Sequence, residues 1–169
     1  MRRINGLRWI LALALAAVLM VCFGCGKAEE APAQTDDFNV RVWLAVEANA
    51  MAFEYIAVPV YQDTWDRGAE EIGSITASEE EKQDILDFLA DVNFPPAEEI
   101  AFTVDFELGM NEPFVFFGFD DEGLTVKAPA SDGMGYRYYR ALYQEDAYDQ
   151  LYSLKEYIGE MRLGYYIEG

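Results

Sequence analysis

Histidine is absent from this 169-residue chain, and cysteine occurs only at Cys22 and Cys25. Without an imidazole there is no Ser-His-Asp triad, no Cys-His nucleophile pair and no histidine metal site. Two cysteines cannot supply the four or so ligands of a zinc site. No P-loop or G-x-G-x-x-G occurs, and Ser74, Ser78, Ser131 and Ser153 lie in neither S-x-x-K nor G-x-S-x-G. Phosphoryl, acyl and hydride transfer therefore lack visible machinery, and no cofactor is expected. Positive charge is also scarce: 12 Lys and Arg stand against 31 Asp and Glu, a net charge of −19. Arg2, Arg3 and Arg8 precede Cys25 and every acid follows it, so the later part carries nine bases against 31 acids, or −22. Such a field repels phosphate backbones and anionic lipid, which removes nucleic acid from the expected partners.

Long apolar runs are confined to one place. Trp9–Phe23 has no charged residue, follows the basic start MRRINGLR, and ends at Gly24-Cys25. A basic start, a run of this length and a small residue at its end describe a secretory signal. The run is shorter than the roughly 20 residues of a membrane span, although an uncleaved anchor helix is the alternative. Cys22-Phe23-Gly24-Cys25 resembles the lipobox of bacterial lipoproteins, with Cys22 and Phe23 where that family carries an aliphatic and a small or tolerant residue. The resemblance covers the first 25 or so residues. It implies cleavage after residue 24, a lipid on the sulfur of Cys25 and an extracytoplasmic domain held at the membrane through that lipid. The C-x-x-C spacing also suits a redox pair, but such a pair opens a helix inside a folded domain.

Residues 26–37 (GKAEEAPAQTDD) are small, polar and charged, as a tether is. Fully extended it reaches at most about 40 Å. Residues 38–169 are then one domain, large enough to bury a core without a disulfide. Phe38–Glu47 alternates apolar and polar side chains and reads as a half-buried strand. Phe53–Tyr61 reads as a second strand, with Pro59 near an edge or an end, and EIGSIT as a short third piece. Ser78 and Glu81 have capping-box spacing ahead of Ile85, Phe88, Leu89 and Val92, which predicts a helix ended by Pro95 and Pro96. Alternation returns in Glu99–Leu108, with Ile100, Phe102, Val104, Phe106 and Leu108 inward. Strands follow at Phe114–Phe119, Leu124–Ala128 and Tyr136–Tyr143, the first two joined by a turn at Asp120–Gly123. Gln144–Arg162 carries a second helical stripe, and LGYYIEG frays or adds a short strand. The fold class is α+β, an antiparallel sheet of about five to seven strands with two helices on one face. This layout resembles small extracytoplasmic lipoprotein domains of bacteria, a likeness that implies no activity.

The remaining candidates for chemistry are carboxylates and aromatics. Asp105 and Glu107, two apart on one strand face, have a spacing that suits glycoside hydrolysis, yet outward strand positions in so acidic a chain are often acidic. Asp120-Asp121-Glu122 and Asp63-x-x-Asp66 offer oxygens to calcium without EF-hand spacing, so no metal site is assigned. Tyr136, Tyr138, Tyr139 and Tyr143 crowd one strand with Arg137 and Arg140. Tyrosine and arginine are enriched at interfaces. Tyr136, Arg137, Tyr139 and Arg140 are thus the candidate binding residues, for a protein or cell-envelope partner. The expected role is a membrane-anchored binding or accessory domain without catalysis, with a carboxylate-dependent hydrolase of envelope glycans as the alternative.

Overall fold

The computed structural model describes residues 37–64, 68–109, 114–130, 133–144 and 147–168. Cys22, Cys25, the signal and nearly all of the tether lie outside these residues, as does Asp66. Residues Thr35–Gly169 form one compact unit. The described elements, in order, are α1 (Val40–Leu44), α2 (Glu47–Ala52), β1 (Ile56–Thr64), β2 (Gly68–Thr76), α3 (Glu79–Leu89), β3 (Pro96–Ala97), β4 (Phe106–Leu108), β5 (Val115–Phe119), β6 (Gly123–Pro129), β7 (Tyr136–Leu142) and α4 (Tyr148–Glu168). The strands make one antiparallel seven-stranded sheet in the order β2-β1-β4-β5-β6-β7-β3. The α+β architecture is therefore the one expected.

Alternation decides which face of the sheet is the core face. Val115 and Phe117 on β5, Leu124, Val126 and Ala128 on β6, and Tyr139 and Ala141 on β7 join one buried cluster. Ile85 and Leu89 of α3 and Leu151, Leu154 and Ile158 of α4 enter the same cluster, so both long helices cover one face. Phe106 and Phe117 stack across β4 and β5 at 4.5 Å. Helix α3 begins as its sequence requires. Ser78 Oγ accepts from Glu81 N at 3.3 Å and Ser78 N donates to Glu81 Oε2 at 2.7 Å, closing the capping box.

Three local expectations are corrected. Phe38–Glu47 is not a strand; it forms α1 and the start of α2, with Phe38 alone bridging to Phe94. The segment also satisfies a helical period, since Val40 is buried and Trp43 and Leu44 are half-buried. What decides is Asn39. Its Oδ1 caps α1 by accepting from Val42 N, while its Nδ2 donates to the carbonyls of Ala90 and Val92. In Glu99–Leu108 only Phe106–Leu108 is a strand. The residues before it run from β3 at one edge back to β4, over the face opposite the helices. There the ring of Phe102 and the carbonyl of Thr103 occupy the space a Cβ on Gly118 would take. The alternation is real, but it sets an extended crossover onto a sheet face. Finally, LGYYIEG neither frays nor adds a strand: α4 continues to Glu168. Among the described residues no helix is long and apolar enough to cross a membrane.

Pro59 lies in β1, between β2 and β4, where its missing N–H leaves a gap. The described β1–β4 pairing stops at Ala57, and Arg162 Nε donates to Pro59 O at 2.9 Å instead.

Candidate functional site

Strand β7 sends the four candidate residues in two directions. Arg137 and Tyr139 face the helices, while Tyr136 and Arg140 face the crossover side. Tyr139 is only 8% exposed, with its ring 5.5 Å from that of Phe38. It is the floor of a groove of about 700 Å³ between α1 and the β6–β7 connection. Trp43 lies on the α1 side, with its ring 6.5 Å from Phe38 and its carbonyl accepting from Asn49 Nδ2 at 2.8 Å. Tyr136 and Arg137 lie on the β7 side. Val42 and Val46, 68% and 52% exposed, add apolar surface to the rim. The volume falls within the range of small-ligand clefts, and the lining combines aromatic and aliphatic groups with one guanidinium.

Arg140 takes no part in this groove. Its Nη2 donates to Asp120 Oδ2 at 2.6 Å and to Glu122 Oε2 at 3.1 Å, tying β7 to the β5–β6 turn. Asp120 Oδ1 accepts from the backbone N–H of Glu122 and Gly123, the turn chemistry expected of DDEG. Arg140 also borders a wider cleft of about 1120 Å³ with Asn93, Tyr143 and Tyr148. There its charge already meets two carboxylates, and burial pushes the Tyr143 hydroxyl above its ordinary pKa despite the opposing charge of Lys155. The groove beside Trp43 is the better candidate, because exposed apolar side chains from a helical pair and an aromatic strand converge on it.

Tyr136 has a second setting. On the crossover side Lys127 Nζ lies 5.2 Å from the Tyr136 ring, 5.7 Å from that of Tyr138 and 6.0 Å from that of Phe116. The register pairs Phe116 with Lys127 and Lys127 with Tyr138, so neighbouring strands bring the cation among the rings.

The carboxylates considered for hydrolysis have other attachments. Asp105 Oδ1 receives Arg162 Nη1 at 2.7 Å, and its Oδ2 receives Phe119 N at 2.7 Å. Glu107 accepts from the Tyr55 hydroxyl at 3.2 Å, and burial followed by that carboxylate raises the Tyr55 pKa. Neither residue lines the groove or the wider cleft. Among the described residues no group of three His, Cys, Asp or Glu could hold a metal ion.

The groove was half visible in the sequence. Tyr136, Arg137 and Tyr139 stand out by composition, but Val42, Trp43 and Val46 join them only because α1 is a helix. The cue was Asn39, a good capping residue ahead of Val40, Trp43 and Leu44 at helical spacing. No protein-family model, no curated protein and no solved structure matches this chain.

Proposed function

We propose that this chain is an extracytoplasmic lipoprotein, anchored through a lipid on Cys25, whose domain binds a protein or cell-envelope partner without chemistry of its own. The groove carries the binding half of this reading: Trp43, Arg137 and Tyr139 line one opening whose rim holds exposed Val42 and Val46, while Tyr136 borders it with its ring turned to the crossover side. Large amphipathic rings and a guanidinium at the edge of an apolar floor are the composition of interaction hot spots. The anchor half rests on the signal and on Gly24-Cys25. The hydrolase alternative draws no support from Asp105, whose two oxygens already hold a helix and a strand.

The two halves have separate tests. Capture from a membrane fraction by the full chain should yield a partner that the Val42→Glu, Val46→Glu double variant loses, at unchanged thermal stability. An identical captured set would remove the groove from the function. Radiolabelled palmitate should enter the wild-type chain and not Cys25→Ala, and labelling that survives this substitution would end the lipoprotein reading.

A further inference from the structure

On the sheet face opposite the helices, the register sets Glu107, Phe116, Lys127 and Tyr138 side by side across β4, β5, β6 and β7. The crossover covers the neighbouring row of Gly118, Thr125 and Arg140: Phe102 and Thr103 press on Gly118, and Thr125 is fully buried. The row of Lys127 is half-buried beside it. On its far side stand Phe114 and Tyr136, the latter 37% exposed. Phe114 and Phe116 lie 5.9 Å apart at 27°, and Phe116 and Tyr136 6.0 Å apart at 48°. Three rings thus form a ledge along the crossover, with Lys127 among them. The ammonium is unusual for this chain. Although 31 acids stand against 12 bases, Lys127 makes no ion pair or hydrogen bond among the described residues, and its surroundings are the rings of Phe116, Tyr136 and Tyr138. Carboxylates stand only at the ends of the row. Glu107 Oε1 accepts from the Tyr55 hydroxyl at 3.2 Å, and Glu99 Oε1 accepts from the Tyr138 hydroxyl at 3.2 Å. A carboxylate engaged at one oxygen has acceptor capacity to spare.

Charge selects the occupant of this ledge. Aromatic faces are the negative side of the ring quadrupole, so they oppose an anion, as does the net charge of −19. A cationic partner would meet the Lys127 ammonium instead. What fits is a neutral molecule with weakly positive C–H surface for the rings and hydroxyl groups for the ammonium and the carboxylates. Sugars have this combination. We propose that the ledge binds a neutral glycan, whose C–H faces lie on Phe114, Phe116 and Tyr136 and whose hydroxyl oxygens accept from Lys127. The glycan is bound and not cleaved, and the inference does not rest on the groove beside Trp43.

The test is an array of neutral oligosaccharides (glucans, mannans, galactans and N-acetylglucosamine oligomers) probed with the full chain, followed by calorimetric titration of those retained. Tyr136→Ala removes a ring that lies outside the buried core, and it should weaken binding about tenfold. Lys127→Met keeps the aliphatic stem between the rings and removes the donors, and it should weaken binding about fivefold. Thermal melts of both variants check that each is folded. The Val42→Glu, Val46→Glu double variant should bind the glycan as wild type does, which separates this ledge from the groove. Failure to retain any neutral glycan, or retention of uronic-acid polymers alone, would overturn the proposal. So would a glycan that both folded single variants bind as well as wild type, or one that the double variant loses.

Discussion

Arg162 Nη1 donates to Asp105 Oδ1 at 2.7 Å, and Nη2 donates to the Asp105 carbonyl at 3.0 Å. The helix end and the close of the crossover are thereby joined at one residue, whose other carboxylate oxygen takes Phe119 N. The side chains of Arg162 and Asp105 are 23% and 16% exposed, so water screens the pair only in part. Removing either partner leaves the other partly buried without its counter-charge. Arg162→Met and Asp105→Asn should each lower unfolding free energy by about 2 kcal/mol, below the 3–5 of a fully buried pair. Urea melts of both single variants and the double variant give the coupling, and additive losses would show that the two residues act separately.

Gly118 makes room for the crossover. A methyl group there would meet Phe102 Cδ2 at 2.2 Å and Thr103 O at 2.3 Å, and the second of these is backbone. Gly118→Ala should therefore cost about 1–3 kcal/mol through displacement of the 98–105 segment. Pairing Gly118→Ala with Phe102→Ala relieves only the ring contact, so a denaturation series should show partial recovery at most.

Gly159 lies inside α4 with nothing within 4 Å of its would-be side chain. Glycine in a helix interior is disfavoured against alanine by about 0.8–1 kcal/mol. Gly159→Ala should raise the melting temperature by a few degrees, on the usual size scaling for such a domain. A melting temperature that fell would indicate that the helix bends or opens at this point.

Alkaline pH should loosen the contact between the long helices. Tyr157 donates to Asp84 Oδ2 at 3.1 Å, and burial, then that hydrogen bond, push its pKa up to about 12. An unfolded tyrosine ionises near its ordinary value of 10, so the folded state keeps the proton longer. The stabilising contribution is complete below pH 10 and declines as pH rises from there towards 12. Tyr55, Tyr61 and Tyr143 are raised in the same direction, chiefly by burial. Tyrosinate absorbance titrated on wild type and Tyr157→Phe should differ by one late-ionising group.

What the sequence disclosed depended on how local each signal was. The Ser78–Glu81 box is written in four consecutive residues and closes as read. The meander of β5, β6 and β7 follows from alternation and turn residues alone. Phe38–Glu47 was ambiguous because Val40, Val42, Leu44 and Val46 satisfy period two while Val40, Trp43 and Leu44 satisfy a helical period. Asn39 breaks the tie through bonds to Ala90 and Val92, some fifty residues away. Ile100, Phe102 and Val104 alternate as strand residues do, and no periodicity tells a paired strand from a segment laid across a sheet. Gly118, where that segment makes room for itself, is a lone glycine among aromatics and gives no sign of what covers it. The groove inherits this division, since Tyr136 and Arg137 are conspicuous and Val42 and Val46 depend on the fold of α1.

The crossover between β3 and β4 also imposes an order of events. Pro96 and Ala97 pair with Tyr139 and Tyr138, and Pro95 O receives the N–H of Arg140, so β3 docks on a strand some forty residues further along. Strand β4 pairs locally with β5, but it must also find β1, about fifty residues before it. A polypeptide that emerges N-terminus first can close the β1–β2 hairpin early, and can wind α3, but it has nowhere to seat β3 until β7 has arrived. Such distant pairings are costly in chain entropy before they return any contact, and they slow folding. Assembly of this sheet therefore waits on its last third, and until then the hydrophobic stretch from Phe94 to Leu108 stays open to whatever escorts the chain.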